Sequence, residues 1–165
     1  MIQLNINSEV QVMSQVSVTK SFSWDMAHML AGHEDQCKNL HGHTYKLEVE
    51  VTSKSGKLQA AGASQGMIID FKDLKQVVTE EIVAPLDHAF LYWAKSPDEV
   101  EHQLAATLQD ADRKVVSVDF RPTAENMANY FWEILQNNFT KLDIEVVSVK
   151  VWETPTSYAE VKGVR

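Results

Sequence analysis

The sequence predicts an α+β fold in which helices cover one face of an antiparallel sheet. Two long segments, 44–52 and 144–153, alternate apolar and polar residues as half-buried strands do. Two other segments, 70–82 and 123–139, carry apolar residues at helical spacing. Because these strands and helices do not alternate in regular strand–helix–strand units, we expect an antiparallel sheet rather than a doubly wound parallel one.

The first predicted strand precedes a polar connection. Residues 16–23 alternate apolar or β-branched residues with polar ones, and this strand should deliver His28 to a loop. Residues 31–40 are polar and should connect it to the strand at 44–52 as an antiparallel hairpin. Residues 1–16 lack periodicity, and we interpret them as an N-terminal extension with room for one further strand.

The first helix is predicted by its capping residues. Residues 53–65 are rich in Gly, Ser and Ala and should form a surface loop, followed by a short apolar strand at 66–69. Asp70 then stands in the N-cap position, and Asp73 occupies the capping-box place three residues later. Pro85 should close this helix.

The second half of the chain should contribute one strong helix and two or three strands. Residues 98–109 have weaker helical character, and 115–120 resemble a strand. The hydroxyl of Thr123 can cap a helix that runs to about residue 139. The strand at 144–153 follows, and 158–161 should extend or follow that strand.

Length and composition predict a single domain spanning residues 1–165. The hydrophobic fraction is 44%, and no apolar run approaches the roughly 18 residues of a membrane span. The first residues lack the basic and apolar regions of a secretory signal, so a cytoplasmic location is expected. The net charge of −8, from 15 basic and 23 acidic residues, argues against binding a nucleic-acid backbone but not against a phosphorylated small molecule.

The strongest chemical signal is the segment from Cys37 to His43. His41 and His43 are two residues apart, so a strand that begins near His41 aims both imidazoles to one side. A third imidazole, from His28 or His33, would complete a three-histidine zinc site with one coordination position left open for catalysis. Cys37 is the single cysteine, and its thiol is either a small buried apolar group or a base made more acidic by a nearby cation.

Two further features, the Asp87-His88 pair and Glu153, each allow two interpretations. Asp87 and His88 form either an ordinary turn at a helix end or a carboxylate that tunes an imidazole for proton transfer. Glu153 ends a strand and is either a solvated carboxylate or an acceptor for a ring with adjacent N–H donors. Spacing does not decide between these alternatives.

Six short motifs stand in a fixed order over about residues 18–160. They are Phe22-Ser23 leading to Ala27-His28, Cys37 before His41-Gly42-His43, Met67-Ile68-Ile69-Asp70-Phe71 before Leu74-Lys75, Leu86-Asp87-His88, Pro122-Thr123-Ala124-Glu125-Asn126, and Glu153-Thr154. In this order they resemble the 6-pyruvoyltetrahydropterin synthase superfamily. The three residues between Cys37 and His41 resemble its bacterial 6-carboxytetrahydropterin synthase branch, which serves queuosine biosynthesis.

This resemblance implies the tunnelling fold and a set of site residues. Two helices pack on one face of the sheet, three subunits close a barrel, and two trimers stack into a homohexamer with sites at subunit interfaces. The implied roles are zinc binding by His28, His41 and His43, proton acceptance by Cys37, a relay by Asp87 and His88, ring anchoring with a possible relay role by Glu153, and substrate contact by Thr123 and Glu125.

The resemblance also implies the reaction. The substrate would be 7,8-dihydroneopterin triphosphate, and the products 6-carboxytetrahydropterin, acetaldehyde and triphosphate, with Zn²⁺ as the cofactor. The alternatives are triphosphate elimination that yields 6-pyruvoyltetrahydropterin, and pterin or zinc binding without turnover. The chain departs from the family pattern at Trp24-Asp25-Met26, at Tyr92, and in the longer connection 94–121.

Overall fold

A mixed six-stranded sheet organises residues 15–163, the part of the chain that the computed structural model describes. The strands are β1 (Ser17–His28), β2 (His41–Ser53), β3 (Phe90–Trp93), β4 (Val115–Val118), β5 (Ile144–Thr154) and β6 (Ser157–Lys162), and the helices are α1 (Phe71–Val78), α2 (Ala84–Leu86), α3 (Glu99–Asp110) and α4 (Ala124–Phe139). The strand order is β4-β3-β1-β2-β5-β6. The prediction of an α+β fold is confirmed.

The β1–β2 hairpin is the longest pairing in the sheet. It is antiparallel, as predicted, and its register runs from Ser17 opposite Thr52 to His28 opposite His41. The prediction that His28 lies in a loop is wrong, because β1 continues five residues past the predicted end at 23. The strand continues because Trp24 and Met26 keep the alternation and are buried in the core.

The predicted antiparallel sheet is confirmed for the pairs β1–β2, β2–β5 and β5–β6 but not for the other two pairs, so the sheet is mixed. β3 pairs in parallel with β1, and β4 pairs in parallel with β3. Parallel neighbours need a crossover connection, and α3 between β3 and β4 supplies it. The predicted longer connection at 94–121 therefore contains a crossover helix and an edge strand. β3 was not predicted because Phe90–Trp93 is a short apolar run without alternation.

Helices cover both faces of the sheet, at different places. α1 and α4 pack on one face over the main core, which confirms the two helices expected there. α3 packs on the opposite face, where its Ala105 contacts a small cluster with Met29 and Phe90. Leu91, next to Phe90 in β3, belongs to the main core, so successive residues of this strand face the two helix layers.

The predicted helix caps are both present. The Asp70 side chain accepts a hydrogen bond from Lys72 N at 2.8 Å, and the Thr123 hydroxyl accepts one from Asn126 N at 3.4 Å. Pro85 does not close the first helical run, which ends one residue later at Leu86. A π-helical turn at Thr79–Val83 precedes α2 and widens the helix before the proline ring.

The apolar segment at 66–69 is not a strand, contrary to prediction. Ile68 and Ile69 are buried in the main core, but the backbone here pairs locally with Gln59. Gln59 N donates to Met67 O at 2.9 Å, and the Gln59 side chain donates to Ile68 O at 3.2 Å. A short apolar run indicates burial, but it does not specify which backbone partner satisfies it.

The predicted N-terminal extension lies mostly outside the described residues, which begin at Gln15. The Gln15 amide donates to Ser53 O at 2.9 Å, and the Thr52 hydroxyl donates to Val16 O at 2.6 Å. These two contacts attach the start of the described chain to the end of β2. Among residues 15–163, no helix combines the length and the apolar composition that a membrane crossing requires.

Phe131 of helix α4 is buried in the main core, and its ring meets the Trp24 ring edge-on with 6.0 Å between the centroids. This packing should contribute substantially to the free energy of unfolding. We expect Phe131→Ala to lower the free energy of unfolding by about 3 to 5 kcal/mol, because it removes a buried aromatic side chain and leaves a cavity. Denaturant unfolding at matched protein concentration measures the change. Glu133→Ala, on the exposed face of the same helix, should change it by less than about 0.5 kcal/mol.

Candidate metal centre and surrounding site

Three imidazoles converge at one end of the β1–β2 hairpin. His28 lies directly opposite His41, and His43 is two residues farther along β2, so all three side chains point to the α4 side of the sheet. One ring nitrogen from each lies within 4.8 Å of the others. The cluster contains His28 and not His33, whose Nδ1 accepts a hydrogen bond from Asp35 N at 3.0 Å.

Gly42 allows the two strands to approach closely between the two β2 histidines. A Cβ atom at this position would lie 3.0 Å from Met26 O and 3.6 Å from the Ala27 Cα. Both atoms belong to the backbone of β1 and have little freedom to move away. A glycine within a strand often marks such a close backbone approach, and here it sets the distance between His28 and the β2 imidazoles.

Backbone carbonyls fix the tautomers of two imidazoles. Nδ1 of His28 lies 2.9 Å from Pro122 O, and Nδ1 of His41 lies 2.8 Å from Asn39 O, so both rings carry their proton on Nδ1. Their Nε2 atoms, only 3.1 Å apart, then present two lone pairs to each other. A cation bound by both rings would satisfy both lone pairs, and a carbonyl behind each ring is the usual support of a metal-bound histidine.

The environment favours the neutral form of two of the three imidazoles, His28 and His43. Burial lowers the pKa of His28 to about 4, against the opposing effect of its hydrogen bond to Pro122 O, and His41 and His43 lower it further. Burial also lowers the pKa of His43, and the Glu153 carboxylate opposes that shift. At neutral pH the 3.6 Å contact between His28 Nε2 and Glu153 Oε1 is therefore not an ion pair. Neutral imidazoles are the form that binds metal.

The donor set therefore fits a metal ion such as Zn²⁺. Three imidazole nitrogens, two of them on rings supported by carbonyls, would leave a tetrahedral ion one position for another ligand. The arrangement is that of an open, catalytic type of centre rather than a closed structural one.

Tyr45 is a member of the site that was not predicted. It continues the alternation of His41 and His43 along β2, and extending that period by one step would have identified it. Its buried hydroxyl lies 3.2 Å from His28 Nε2 and 3.5 Å from Glu153 Oε1. Burial, the Glu153 charge and Cys37 raise the pKa of Tyr45, so its hydroxyl remains a hydrogen-bond donor.

Cys37 lies in a 3₁₀ turn, Gln36–Lys38, that leads into β2. The residue is half-buried, and its backbone carbonyl accepts a hydrogen bond from Leu30 N at 2.9 Å. That bond holds the turn against the residues that follow β1.

Asp87 and His88 contact each other in a turn between α2 and β3. Asp87 Oδ1 lies 2.9 Å from His88 Nδ1, and the imidazole side chain is 78% exposed. No hydrogen bond among residues 15–163 joins this pair to Cys37. His88 and His43 both line a cleft of about 600 Å³, which Lys114 also lines. Within one subunit, the Asp87 carboxylate therefore contacts the His88 imidazole, and that imidazole faces an open cleft.

The remaining predicted residues share a smaller cavity of about 310 Å³. Thr123, Glu125 and Glu153 line it together with Arg121, a residue that was not predicted. Glu153 is half-buried between this cavity and the histidine cluster, whereas Glu125 is exposed in the first turn of α4. The Thr123 hydroxyl already accepts the α4 capping bond, so its O–H can still donate to a ligand.

The metal assignment predicts different results for two histidine variants. We expect His41→Ala to reduce bound zinc to well below one ion per subunit, because it removes one of three nitrogen ligands. His33→Ala, which changes an imidazole outside the cluster, should retain wild-type zinc. Metal analysis after dialysis measures both, and circular dichroism confirms folding. Full zinc in His41→Ala would contradict the assignment.

The buried imidazole also predicts a pH dependence for the metal-free protein. The unfolded chain protonates His28 near pH 6.5, whereas the folded protein resists protonation until about pH 4. The unfolded state therefore binds more protons between these values, and stability falls as the pH falls through this window, by about 3 kcal/mol per subunit. Denaturant unfolding from pH 7 to pH 4 measures the slope. His28→Asn should flatten it, and an unchanged slope would contradict the assignment.

Comparisons with known proteins agree with the sequence resemblance. The profile of the 6-pyruvoyl tetrahydropterin synthase family matches residues 17–164. The 6-carboxy-5,6,7,8-tetrahydropterin synthase of Haemophilus influenzae is 46% identical over 143 residues, which cover 87% of this chain and 96% of that protein. The protein of the same name from Aquifex aeolicus is 34% identical over 132 residues, covering 78% of this chain and 76% of that protein.

Solved structures show the same fold at lower identity. The 6-pyruvoyl tetrahydropterin synthase of Caenorhabditis elegans superimposes with a TM-score of 0.60 at 21% identity, covering 92% of this chain and 98% of that one. The Plasmodium vivax enzyme gives a TM-score of 0.63 at 19% identity, covering 90% and 97% of the two chains. The predicted resemblance is confirmed, and the chain belongs to the 6-pyruvoyl tetrahydropterin synthase family.

Proposed function

We propose that this protein is a lyase that converts 7,8-dihydroneopterin triphosphate into 6-carboxy-5,6,7,8-tetrahydropterin, acetaldehyde and triphosphate. The observation that carries this proposal is the 46% identity to a relative named for the carboxytetrahydropterin product, over 96% of that relative. One water is consumed, because the carboxyl group and the aldehyde together hold one oxygen more than the two side-chain hydroxyls of the substrate supply.

The three-histidine cluster would hold the metal ion of this reaction, with Zn²⁺ as the proposed species. His28, His41 and His43 present ring nitrogens that converge from two paired strands. A bound zinc ion supplies Lewis acidity, which lowers the cost of removing a proton next to a substrate oxygen. The strand positions and the carbonyls behind His28 and His41 keep the imidazoles in the orientation that binding requires.

The groups around the cluster would position the substrate and move protons. Cys37, in the turn before β2, is the proposed proton acceptor. Glu153 is the proposed anchor of the pterin ring, since its carboxylate borders both the histidine cluster and the 310 Å³ cavity. Thr123 and Glu125 line that cavity and are proposed ring contacts. Tyr45 keeps its proton and can orient the Glu153 carboxylate.

Asp87 and His88 are the proposed second half of the proton relay. The Asp87 carboxylate holds His88 Nδ1, which leaves Nε2 free to exchange a proton. Because the pair does not bond to Cys37 within one subunit, we propose that it meets the Cys37 turn of a neighbouring subunit. This arrangement calls for an oligomer, and the tunnelling-fold barrel of a dimer of trimers supplies such interfaces.

The wider setting follows from the same resemblance. We propose that residues 1–165 form one tunnelling-fold domain, and that the protein acts in the cytoplasm in queuosine biosynthesis. The proposed partner is the small-molecule pterin triphosphate. The net charge of −8 gives no support for a nucleic-acid partner.

Product analysis tests the reaction. The zinc-loaded protein incubated with 7,8-dihydroneopterin triphosphate should release acetaldehyde and a pterin with the mass of the carboxylated product. A pterin with the mass of the pyruvoyl product, formed without acetaldehyde, would support triphosphate elimination instead. A folded, zinc-loaded protein that forms neither product would contradict the catalytic proposal and favour binding without turnover.

A Cys37 variant tests the proposed base. We expect Cys37→Ala to lower kcat by roughly 10² to 10⁴ fold, because a positioned proton acceptor contributes that much. Its zinc content should remain at the wild-type level, since the three histidines are unchanged. Gln36→Ala, an exposed change in the same turn, serves as the matched control and should keep kcat near the wild-type value. Wild-type activity in Cys37→Ala would exclude Cys37 as the base.

A further inference from the structure

We propose that Lys114 is a positioning residue that holds the Asp87-His88 pair in its reactive orientation. The inference rests on the proposed function for the role of that pair. Lys114 follows α3 within the longer connection 94–121 and immediately precedes β4. Its ammonium group lies 2.6 Å from Ala84 O and 2.7 Å from Asp87 O. Both carbonyls belong to the short segment that ends the first helical run and presents His88.

The backbone of this turn needs external support. The helix before it ends at Leu86, which leaves carbonyls without helical partners, and a cation is favourable at that end of a helix. His88 has a φ of +59°, a left-handed conformation that is disfavoured for a residue with a Cβ atom. Such a conformation persists only when surrounding contacts fix it. His88 N donates to Asp25 O at 2.7 Å, and Lys114 secures the opposite side of the turn.

The main chain of Lys114 is itself anchored beside the turn. Phe90 N donates to Lys114 O at 3.0 Å, at the start of the parallel pairing between β3 and β4. The backbone of Lys114 is therefore hydrogen-bonded to β3, the strand that leaves the turn. Its side chain is hydrogen-bonded to the turn itself. This double attachment fixes the peptide on which His88 stands.

The effect on the imidazole passes through Asp87. One oxygen of that carboxylate, Oδ1, lies 2.9 Å from His88 Nδ1 and accepts a hydrogen bond from Asp25 N at 3.3 Å. If the Asp87 carbonyl shifts, the carboxylate moves with it, and the direction of His88 Nε2 changes. The ammonium of Lys114 donates to two backbone oxygens of this turn, so its effect on proton transfer passes through the Asp87-His88 pair. Lys114 also lines the cleft that His88 faces, and the kinetics below separate this positioning role from direct contact with the substrate.

Steady-state kinetics of three variants, with purified zinc-loaded protein and 7,8-dihydroneopterin triphosphate, test this role. Lys114→Met keeps the aliphatic stem and removes the ammonium group. We expect its kcat to fall about 10- to 100-fold with KM within twofold, because misplaced catalytic groups slow the reaction without weakening substrate binding. Lys114→Arg, which can still donate to both carbonyls, should recover most of kcat. Lys95→Met removes an exposed lysine of the same connection, paired with exposed Asp119, and should match wild type.

Amide hydrogen exchange supplies a readout that needs no turnover. The peptide spanning residues 86–92 should exchange faster in Lys114→Met than in wild type, and at the wild-type rate in Lys95→Met. Unchanged exchange together with unchanged kcat in Lys114→Met would overturn the inference. A raised KM at constant kcat would also overturn it, because it would indicate direct contact with the anionic substrate. A wild-type protein that forms no product would instead contradict the proposed function.

Discussion

The register of the β1–β2 hairpin is the constraint on which the site depends. Opposite residues share a face, so pairing His28 with His41 also fixes His43 and Tyr45 on the α4 side. A slip of one residue would turn every β2 side chain to the other face and separate the imidazoles. The buried side chains of Leu47, Val49 and Val51 disfavour this slip, because the slip would move them from the core to the opposite face of the sheet. Core packing far from the site therefore determines the geometry of the site.

The parallel strands connect a second group of chemical residues to the same hairpin. β3 begins two residues after His88 and pairs with the end of β1, where Ala27 N donates to Ala89 O at 3.0 Å. The turn that carries Asp87 and His88 is thereby attached to the strand that carries His28. The crossover through α3 closes this arrangement from the opposite face of the sheet. The segment 94–121 is thus part of the support of the site as well as of the outer surface.

The sequence predicted the parts of the site that depend on local periodicity and capping. The spacing of His41 and His43, the caps at Asp70 and Thr123, and the pairing of the two longest strands all follow from short-range patterns. The resemblance, rather than spacing, favoured His28 over His33. Lys114 could not be predicted, because its acceptors are backbone carbonyls about 30 residues away, and such contacts leave no pattern in the sequence. The parallel direction of β3 escaped prediction because four apolar residues do not specify a partner.

The hydrogen bonds around the cluster depend on which ring nitrogens carry a proton. His28 and His41 use their Nδ1 protons on carbonyls, so Tyr45 carries the hydroxyl proton nearest to the paired Nε2 atoms. The Nε2 lone pair of an imidazole either accepts a hydrogen bond or binds a cation, but not both at once. When the His28 lone pair is committed to a cation, Tyr45 has Glu153 as its remaining acceptor, at 3.5 Å. Filling the three-histidine centre would therefore direct the Tyr45 hydroxyl toward Glu153 and couple the metal centre to the cavity proposed for the ring.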